Sequence, residues 1–280
     1  MTNNVDVETY LSRIGYRGPR DPSLETLREL QRRHVETVPF ETLAMLVGDR
    51  VRLDLVSLQN KILLNGRGGY CFELNVLFFH LLRALGFDAR VLTGRVTMHG
   101  PEEAATARTH VLLLVTLGGV RYTVDVGFGG MTPTAPLMLD TEDEQPTPHE
   151  TYRLTNRAGA YTLRARVGDE WRHYYLFDLA PPLEIDLEVG NWYVSTHPDS
   201  PFRGRLLAAR AEPGVRHALR GAEYTRHEVG VSSERRRIET PEEATVLLRD
   251  VFRIEVPDTK ALRSGLLAAI CEPTQPPPVP

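Results

Sequence analysis

Apolar and polar residues from Val7 to Ile14 follow a short amphipathic pattern that predicts a helix. Ser23 is a good N-cap, and Leu24, Leu27, Leu30 and Val35 follow it at near-helical spacing. Pro39 should stop that helix, because proline disfavours helical backbone before it. A third helix is predicted from Cys71 to Leu85. Its apolar face is Leu74, Leu77, Phe78, Leu81 and Leu85, and Gly86 supplies the C-terminal stop.

From Ala89 the period changes to that of strands. Arg90–Val96, His110–Leu117 and Val120–Val126 are strand runs, and Gly118-Gly119 between the last two predicts a two-residue hairpin turn. Further runs at Glu150–Leu154, Tyr161–Val167 and His173–Phe177 complete an expected antiparallel sheet or small barrel. Pro181-Pro182 marks a change of segment. Beyond Trp192 the pattern mixes strands with a helix near Pro241–Phe252. The proline-rich stretch Glu272–Pro280 is expected to be disordered.

Composition narrows the class. The chain has 280 residues, 41% hydrophobic and 25% charged, as expected of a globular protein with two or three small domains. A net charge of -4 builds no broad basic surface, so no nucleic acid partner is expected. No apolar run approaches the roughly 20 residues of a membrane span. The stretch Met1–Asp6 has neither the basic start nor the apolar core of a signal peptide, so the expected location is cytoplasmic. Two cysteines, Cys71 and Cys271, cannot make a disulfide framework or a four-cysteine zinc site, and each is expected as a free thiol. No His or carboxylate spacing suggests a metal.

Cys71 stands out by position. It follows Gly68-Gly69-Tyr70 and opens the amphipathic helix, where unpaired N–H groups and the helix dipole favour a thiolate. It also lies three residues before Leu74, on the inward face. A thiolate nucleophile needs a base and a group to orient that base, and the hairpin supplies both. With Gly118-Gly119 as a two-residue turn, Leu117 pairs with Val120 and His110 falls opposite Gly127. Asp125, two residues from Gly127, is then the diagonal neighbour of His110 on the same face, at roughly 7–8 Å between Cα atoms. A three-residue turn would send Asp125 to the other face. Cys71, His110 and Asp125 thus have the nucleophile–base–orienter logic of cysteine hydrolases. Their spacing and local motif differ from those of papain-like proteases.

These residues also carry a family resemblance. Arg67-Gly68-Gly69-Tyr70-Cys71-Phe72-Glu73-Leu74-Asn75 resembles the active-site cysteine motif of arylamine N-acetyltransferases. Thr109-His110 and Asp125-Val126-Gly127-Phe128-Gly129 resemble the other two triad segments. Tyr10–Tyr16, Val38-Pro39-Phe40-Glu41 and Asn191–Pro198 are similar to the family's opening, its proline-phenylalanine turn and its interdomain segment, so the likeness covers nearly the whole chain. One departure is Thr42, where the family usually has Asn.

The resemblance implies an α+β fold with a cysteine-protease-like Cys-His-Asp core. A helical bundle would span 1–88 and carry the nucleophile, and an antiparallel β-barrel would span 89–190 and carry His and Asp. An interdomain segment at 191–207 and an α/β lid with a disordered tail at 208–280 would follow. It further implies acetyl-CoA as co-substrate and an arylamine, arylhydrazine or hydrazide as acceptor, with no metal. An aromatic pocket would form from Phe40, Tyr70, Val96, Met98, Phe128 and Phe202, with CoA contacts at Thr109, Gly129 and Gly130. Arg67 and Glu73 are expected to pair and brace the cysteine loop. Cys271 is expected to be inert. Glu234–Arg237 reads as a solvated charge run, with CoA phosphates as the alternative. Gly127-Phe128-Gly129-Gly130 is no dinucleotide fingerprint, because Pro133 follows where a helix should start. Three other readings stay open: an amide synthase closing macrolactams, a catalytically silent small-molecule-binding protein, and a cysteine peptidase.

Overall fold

A computed structural model of the chain describes residues 4–98 and 100–271. The predicted helices form. α1 (Val7–Arg13) is capped by Asp6, whose carboxylate accepts from Thr9 N at 3.0 Å. α2 (Leu24–Thr37) is capped by Ser23 and ends before Val38-Pro39. β1 (Phe40–Glu41) and the single turn α3 (Leu43–Leu46) follow. α4 (Leu55–Leu58) then widens into a π-type turn over Gln59–Leu64. α3 and α4 are too short for a hydrophobic period to register. α5 (Cys71–Ala84) begins at the cysteine, and Gly86 follows its end with φ +86°. Leu11, Ile14, Leu27, Leu30, Leu74, Leu77, Phe78 and Leu81 pack into one core. The apolar stripes read from the sequence therefore face one another.

The middle of the chain is an eight-stranded antiparallel sheet, curled nearly into a barrel. Its strands are β2 (Asp88–Val96), β3 (Arg108–Leu117), β4 (Val120–Val124), β5 (Leu137–Met138), β6 (Gln145–Pro146), β7 (Thr151–Arg157), β8 (Ala160–Val167) and β9 (Glu170–Phe177). They run in the order β5-β4-β3-β2-β9-β8-β7-β6. The β3–β4 hairpin has the expected register, from Leu117↔Val120 to Leu113↔Val124. Gly118 and Gly119 turn it with φ of +56° and +83°, which a two-residue turn of this hand requires. β4 stops at Val124, two residues short of the expected end. There the backbone leaves the ladder for side chains: Val126 N donates to Asn75 Oδ1 at 3.0 Å, and Gly127 N to Asp125 Oδ1 at 2.8 Å. The edge strands β5 and β6 were not legible as two-residue pieces. The Gln145 amide bridges them, accepting from Met138 N at 2.7 Å and donating to Met138 O at 2.9 Å.

α6 (Glu184–Thr196) follows Pro181-Pro182, so Asn191–Thr196 of the expected interdomain segment is the second half of a helix. A meander then runs through β10 (Leu207–Glu212), β11 (Val215–Arg220), β12 (Glu223–Glu228) and β13 (Ser232–Arg237). α7 (Pro241–Asp250) and α8 (Lys260–Cys271) cover it, and α8 had no prediction. The charge run at Glu234–Arg237 lies on the exposed outer strand β13. The expectation for Glu272–Pro280 falls outside the described residues.

β1 joins this last sheet, with Phe40↔Ala209 and Glu41↔Ala208. Its other side meets the cysteine loop. Phe40 bridges Gly69, Gly69 N donates to Pro39 O at 3.3 Å, and Glu41 N donates to Gly69 O at 2.9 Å. Two residues of strand thus tie the cysteine loop to the C-terminal sheet. Among the described residues no helix is long and apolar enough to cross a membrane.

The tightness of this junction is testable. A Cβ on Gly68 would lie 2.1 Å from the Pro39 carbonyl oxygen, a backbone atom that cannot swing away. Gly68→Ala should therefore destabilise the fold by about 1–3 kcal/mol. Urea unfolding would measure it, and an unchanged midpoint would contradict the close approach.

Candidate active site

Cys71 is the first residue of α5 and is 4% exposed. Its Sγ lies 3.7 Å from the Thr109 carbonyl oxygen. Glu73 folds back on the helix start and accepts from Tyr70 N at 3.2 Å. His110 sits in β3 opposite Gly94, and Asp125 lies just past β4. His110 Nε2 is 2.7 Å from Asp125 Oδ2, with both side chains 2% exposed. The side-chain contact argued from the hairpin is therefore present, although the ladder ends at Leu113↔Val124, before a His110–Gly127 pair.

Burial by itself pushes the His110 pKa down. The Asp125 charge and its hydrogen bond, with a smaller contribution from the neighbouring Cys71 thiol, outweigh it and raise the pKa above its ordinary 6.5. Burial likewise pushes Asp125 up, and the imidazolium opposite, with hydrogen bonds from Gly127 N and Asn75, brings it below 3.8. Asn75 Nδ2 donates to Asp125 Oδ1 at 3.0 Å, and the Tyr175 hydroxyl donates to Oδ2 at 3.1 Å. Gln31 Nε2 reaches the Asp125 carbonyl at 3.2 Å. Sequence reasoning did not assign roles to Asn75, Tyr175 or Gln31. Asn75 had a local signal: four residues after Cys71, it shares the cysteine's helix face.

The brace of the cysteine loop differs from the expected Arg67–Glu73 pair. Arg67 Nη2 lies 2.7 Å from Glu41 Oε1, and Lys61 Nζ lies 2.7 Å from Glu73 Oε1. Lys61 also stands 3.8 Å from Glu41, so the four charges form one chain. Glu73 is committed to the helix start and to Lys61, which leaves Arg67 to the fully buried Glu41. Thr42 is well used in its own way. Its hydroxyl donates to Arg205 O at 2.7 Å and accepts from Leu207 N at 3.0 Å.

The expected pocket residues fall in two groups. Phe40, Tyr70 and Phe202 gather on the cysteine's side, with ring centroids 6.1 Å apart for Phe40–Phe202 and 6.3 Å for Tyr70–Phe202. Tyr70 has no exposed surface, and its hydroxyl bonds Asn191. Phe128 stands on the histidine's side, edge-on to His110 at 5.0 Å and 4.9 Å from Tyr175. Val96 pairs with Tyr175 in the sheet, and Met98 N donates to Tyr174 O at 3.1 Å. Of the expected CoA contacts, Thr109 lends its carbonyl to the neighbourhood of Sγ. Gly129 turns with φ +85°, and a Cβ there would touch the Phe40 ring at 3.6 Å, whereas one on Gly130 would meet open space. Cys271 is free and exposed at the end of α8. Among the described residues no group of three or more His, Cys, Asp or Glu is placed to hold a metal ion.

A family model described as N-acetyltransferase matches residues 23–261. The arylamine N-acetyltransferase of Mycobacterium tuberculosis (strain H37Rv) is 41% identical over 258 residues, covering 91% of each chain. The arylamine N-acetyltransferase of Escherichia coli K12 is 37% identical, covering 90% of this chain and 89% of its own. Among solved structures, the Mycobacterium marinum arylamine N-acetyltransferase in complex with CoA superposes with a TM-score of 0.90 at 40% identity. It covers 95% of this chain and 100% of its own.

The buried pair carries a pH signature. Because the Asp125 pKa is depressed, its share of stability is present above the ordinary 3.8 and is lost as pH falls through the folded value. Because the His110 pKa is raised, its share is present below 6.5 and is lost as pH rises through the folded value. Both shares are therefore present together between those limits. Asp125→Asn should cost about 3 kcal/mol near pH 6, and the gap to wild type should shrink toward acid. Urea unfolding across pH measures the gap, and a pH-independent gap would count against a charged pair.

Proposed function

Because the chain belongs to the arylamine N-acetyltransferase family, we propose that it moves an acetyl group from acetyl-CoA to an aryl acceptor through a Cys71 thioester. The observation that carries this is the buried His110–Asp125 pair, set on the strand residue next to the Thr109 carbonyl that Cys71 Sγ approaches, with the thiol at a helix start.

His110 takes the Cys71 proton, and the thiolate attacks the acetyl carbonyl of acetyl-CoA. The oxyanion forms beside the first-turn N–H groups of α5, which have no partner within the helix. Collapse expels the CoA thiolate, which takes the proton back from His110. The acceptor nitrogen then attacks the acetyl-enzyme and gives up a proton to His110. Cys71 leaves and is re-protonated. Atoms and charge balance over the two half-reactions, and no metal enters either.

The acceptors we assign are arylamines, arylhydrazines and hydrazides. In a mostly dry site an alkylamine must be desolvated as a cation or lose its proton first, whereas these nitrogens arrive neutral. Phe40 and Phe202 on one side and Phe128 on the other offer faces and edges for an aryl ring, each contact contributing about 0.5–1.5 kcal/mol beyond area burial. Gly129, Gly130 and Thr109 are assigned to the CoA arm, since glycines permit close backbone approach. On this reading the described residues up to 88 deliver the nucleophile, 89–190 the base and its orienter, 191–207 the connection and those from 208 onward the lid. Free thiols and a CoA donor suit the cytoplasm.

Cys71→Ala should abolish CoA release, while Cys271→Ala should leave it intact. Iodoacetamide will also label the exposed Cys271, so inactivation, slowed by acetyl-CoA, is the reading that reports on Cys71. Donor and acceptor titrations should give parallel double-reciprocal lines, and intersecting lines would rule out the acetyl-enzyme. Aryl hydrazines should turn over and simple alkylamines hardly at all. Phe128→Ala should hurt aryl acceptors more than it slows Cys71 acetylation. A preference for alkylamines would sink the aryl-pocket assignment.

A further inference from the structure

The loop after Asp125 carries Phe128, Gly129 and Gly130 and then runs through Met131, Thr132 and Pro133. It belongs to no strand between β4 and β5. Such connections usually satisfy their backbone with water. Here three successive carbonyls are taken by buried side chains from three distant parts of the chain. Tyr152 of β7 places its hydroxyl 3.1 Å from Met131 O. Arg216 of β11 donates from Nη2 to Thr132 O at 2.9 Å. Gln31 of α2 donates from Nε2 to Pro133 O at 2.8 Å. Gln31 and Tyr152 have no exposed surface, and Arg216 has 5%.

This arrangement is costly to build. A buried guanidinium needs a counter-charge, and Glu150 supplies one in two-point contact, with Arg216 Nε 2.7 Å from Oε1. The single Tyr152 proton is divided between Met131 O and Glu150 Oε2, the latter at 3.2 Å. The turn also closes on itself, since Thr132 donates to Gly129 O from its N at 3.1 Å and from its hydroxyl at 2.9 Å. Fixing the three carbonyls therefore fixes the turn that starts at Gly129. Phe128, one residue earlier, is the ring that stands edge-on to His110.

We propose that Gln31, Tyr152 and Arg216 form a clamp of positioning residues that sets the Phe128–Gly130 wall, and so governs how tightly the aryl acceptor is held after Cys71 is acetylated. The inference rests on the acetyl-transfer reading above. None of the three touches the thiol, and Tyr152 and Arg216 have no hydrogen bond to His110 or to the Asp125 carboxylate. Their loss should loosen the wall without altering the nucleophile.

The test uses the full chain with Tyr152→Phe and Arg216→Met, and reads acceptor KM and kcat, the pH profile of iodoacetamide inactivation, and thermal stability. Arg216→Met should raise the aryl-acceptor KM about five- to tenfold, Tyr152→Phe about two- to threefold, with kcat changing less. The inactivation profile should coincide with wild type in both. Arg216→Lys, which restores the charge without the two-point fork, should recover part of the KM loss. The clamp is overturned if acceptor KM stays put while stability falls, or if the inactivation profile moves together with KM. Should Arg216→Met fail to fold, Tyr152→Phe decides by itself, because it removes one oxygen and keeps the ring. Wild-type protein that is inactivated at Cys71 but transfers no acetyl group sinks the functional reading and the clamp's role with it. Active wild type with unchanged variants sinks the clamp alone.

Discussion

A carboxylate charge held almost out of reach of water is the constraint around which the site is organised. Taking Asp125 out of solvent costs several kcal/mol unless its oxygens are filled by donors. The sequence distributes those donors over separate elements: His110 on β3, Asn75 on α5, Tyr175 on β9, and the backbone N–H of Gly127. Each element must be in place for the charge to be tolerated. Asp125 consequently pins the nucleophile helix to the barrel, and the early end of β4 is part of the same bargain. Val126 N gives up a ladder partner because Asn75 Oδ1 is there to accept it.

Cys71 is held from its other side by a second set of charges with a different logic. Glu41 has no exposed surface, and burial would raise its pKa. Lys61 and Arg67 reverse that and hold it below the ordinary 4.5. Burial, with Glu41 nearby adding to it, keeps Glu73 raised above its ordinary 4.5 despite Lys61. The network thus has two acids and two bases in a crowded space beneath Gly68-Gly69. Its work is geometric: Glu73 finishes the start of α5, Glu41 anchors β1, and both leave the cysteine's own surroundings free for chemistry. None of its four charges bonds His110, whose charged partner is Asp125.

Much of this was legible along the chain where the signal is local or periodic. The helix of Cys71 shows in its apolar spacing. The parity of a two-residue Gly-Gly turn points Asp125 toward His110, although the ladder itself ends one residue before Asp125. What sequence reasoning missed depends on approaches between distant segments. Arg67 and Glu73 are six positions apart and invited a direct pair, yet Glu41 and Lys61 arrive from elsewhere and separate them. Tyr175 looked like one more strand aromatic, and Gln31 like a polar residue on a helix, since nothing in either neighbourhood says that a carboxylate or a carbonyl waits opposite. β5 and β6 escaped because two residues make no period. The helical half of the Asn191–Pro198 segment was hidden by its mixed polarity.

The C-terminal sheet follows from these placements as a structural partner of the site on both flanks. On the cysteine flank, β10 pairs with β1, and Thr42 seals that seam by bonding Arg205 O and Leu207 N. The Thr hydroxyl serves both because it donates and accepts at one atom. On the histidine flank, β11 sends Arg216 across to the barrel, where Glu150 and the Thr132 carbonyl receive it. One sheet therefore buttresses the loop before the nucleophile and the loop after Asp125. Two loops on either side of Cys71 and His110, both bonded to one sheet, are coupled in their spacing. Their spacing is then set by the β10–β11 pairing, which runs unbroken from Leu207↔Arg220 to Glu212↔Val215. On the proposed reading, a spacing held in that way favours an acceptor that is itself flat and stiff, because such a molecule loses little freedom on entering and gains contact on both faces at once.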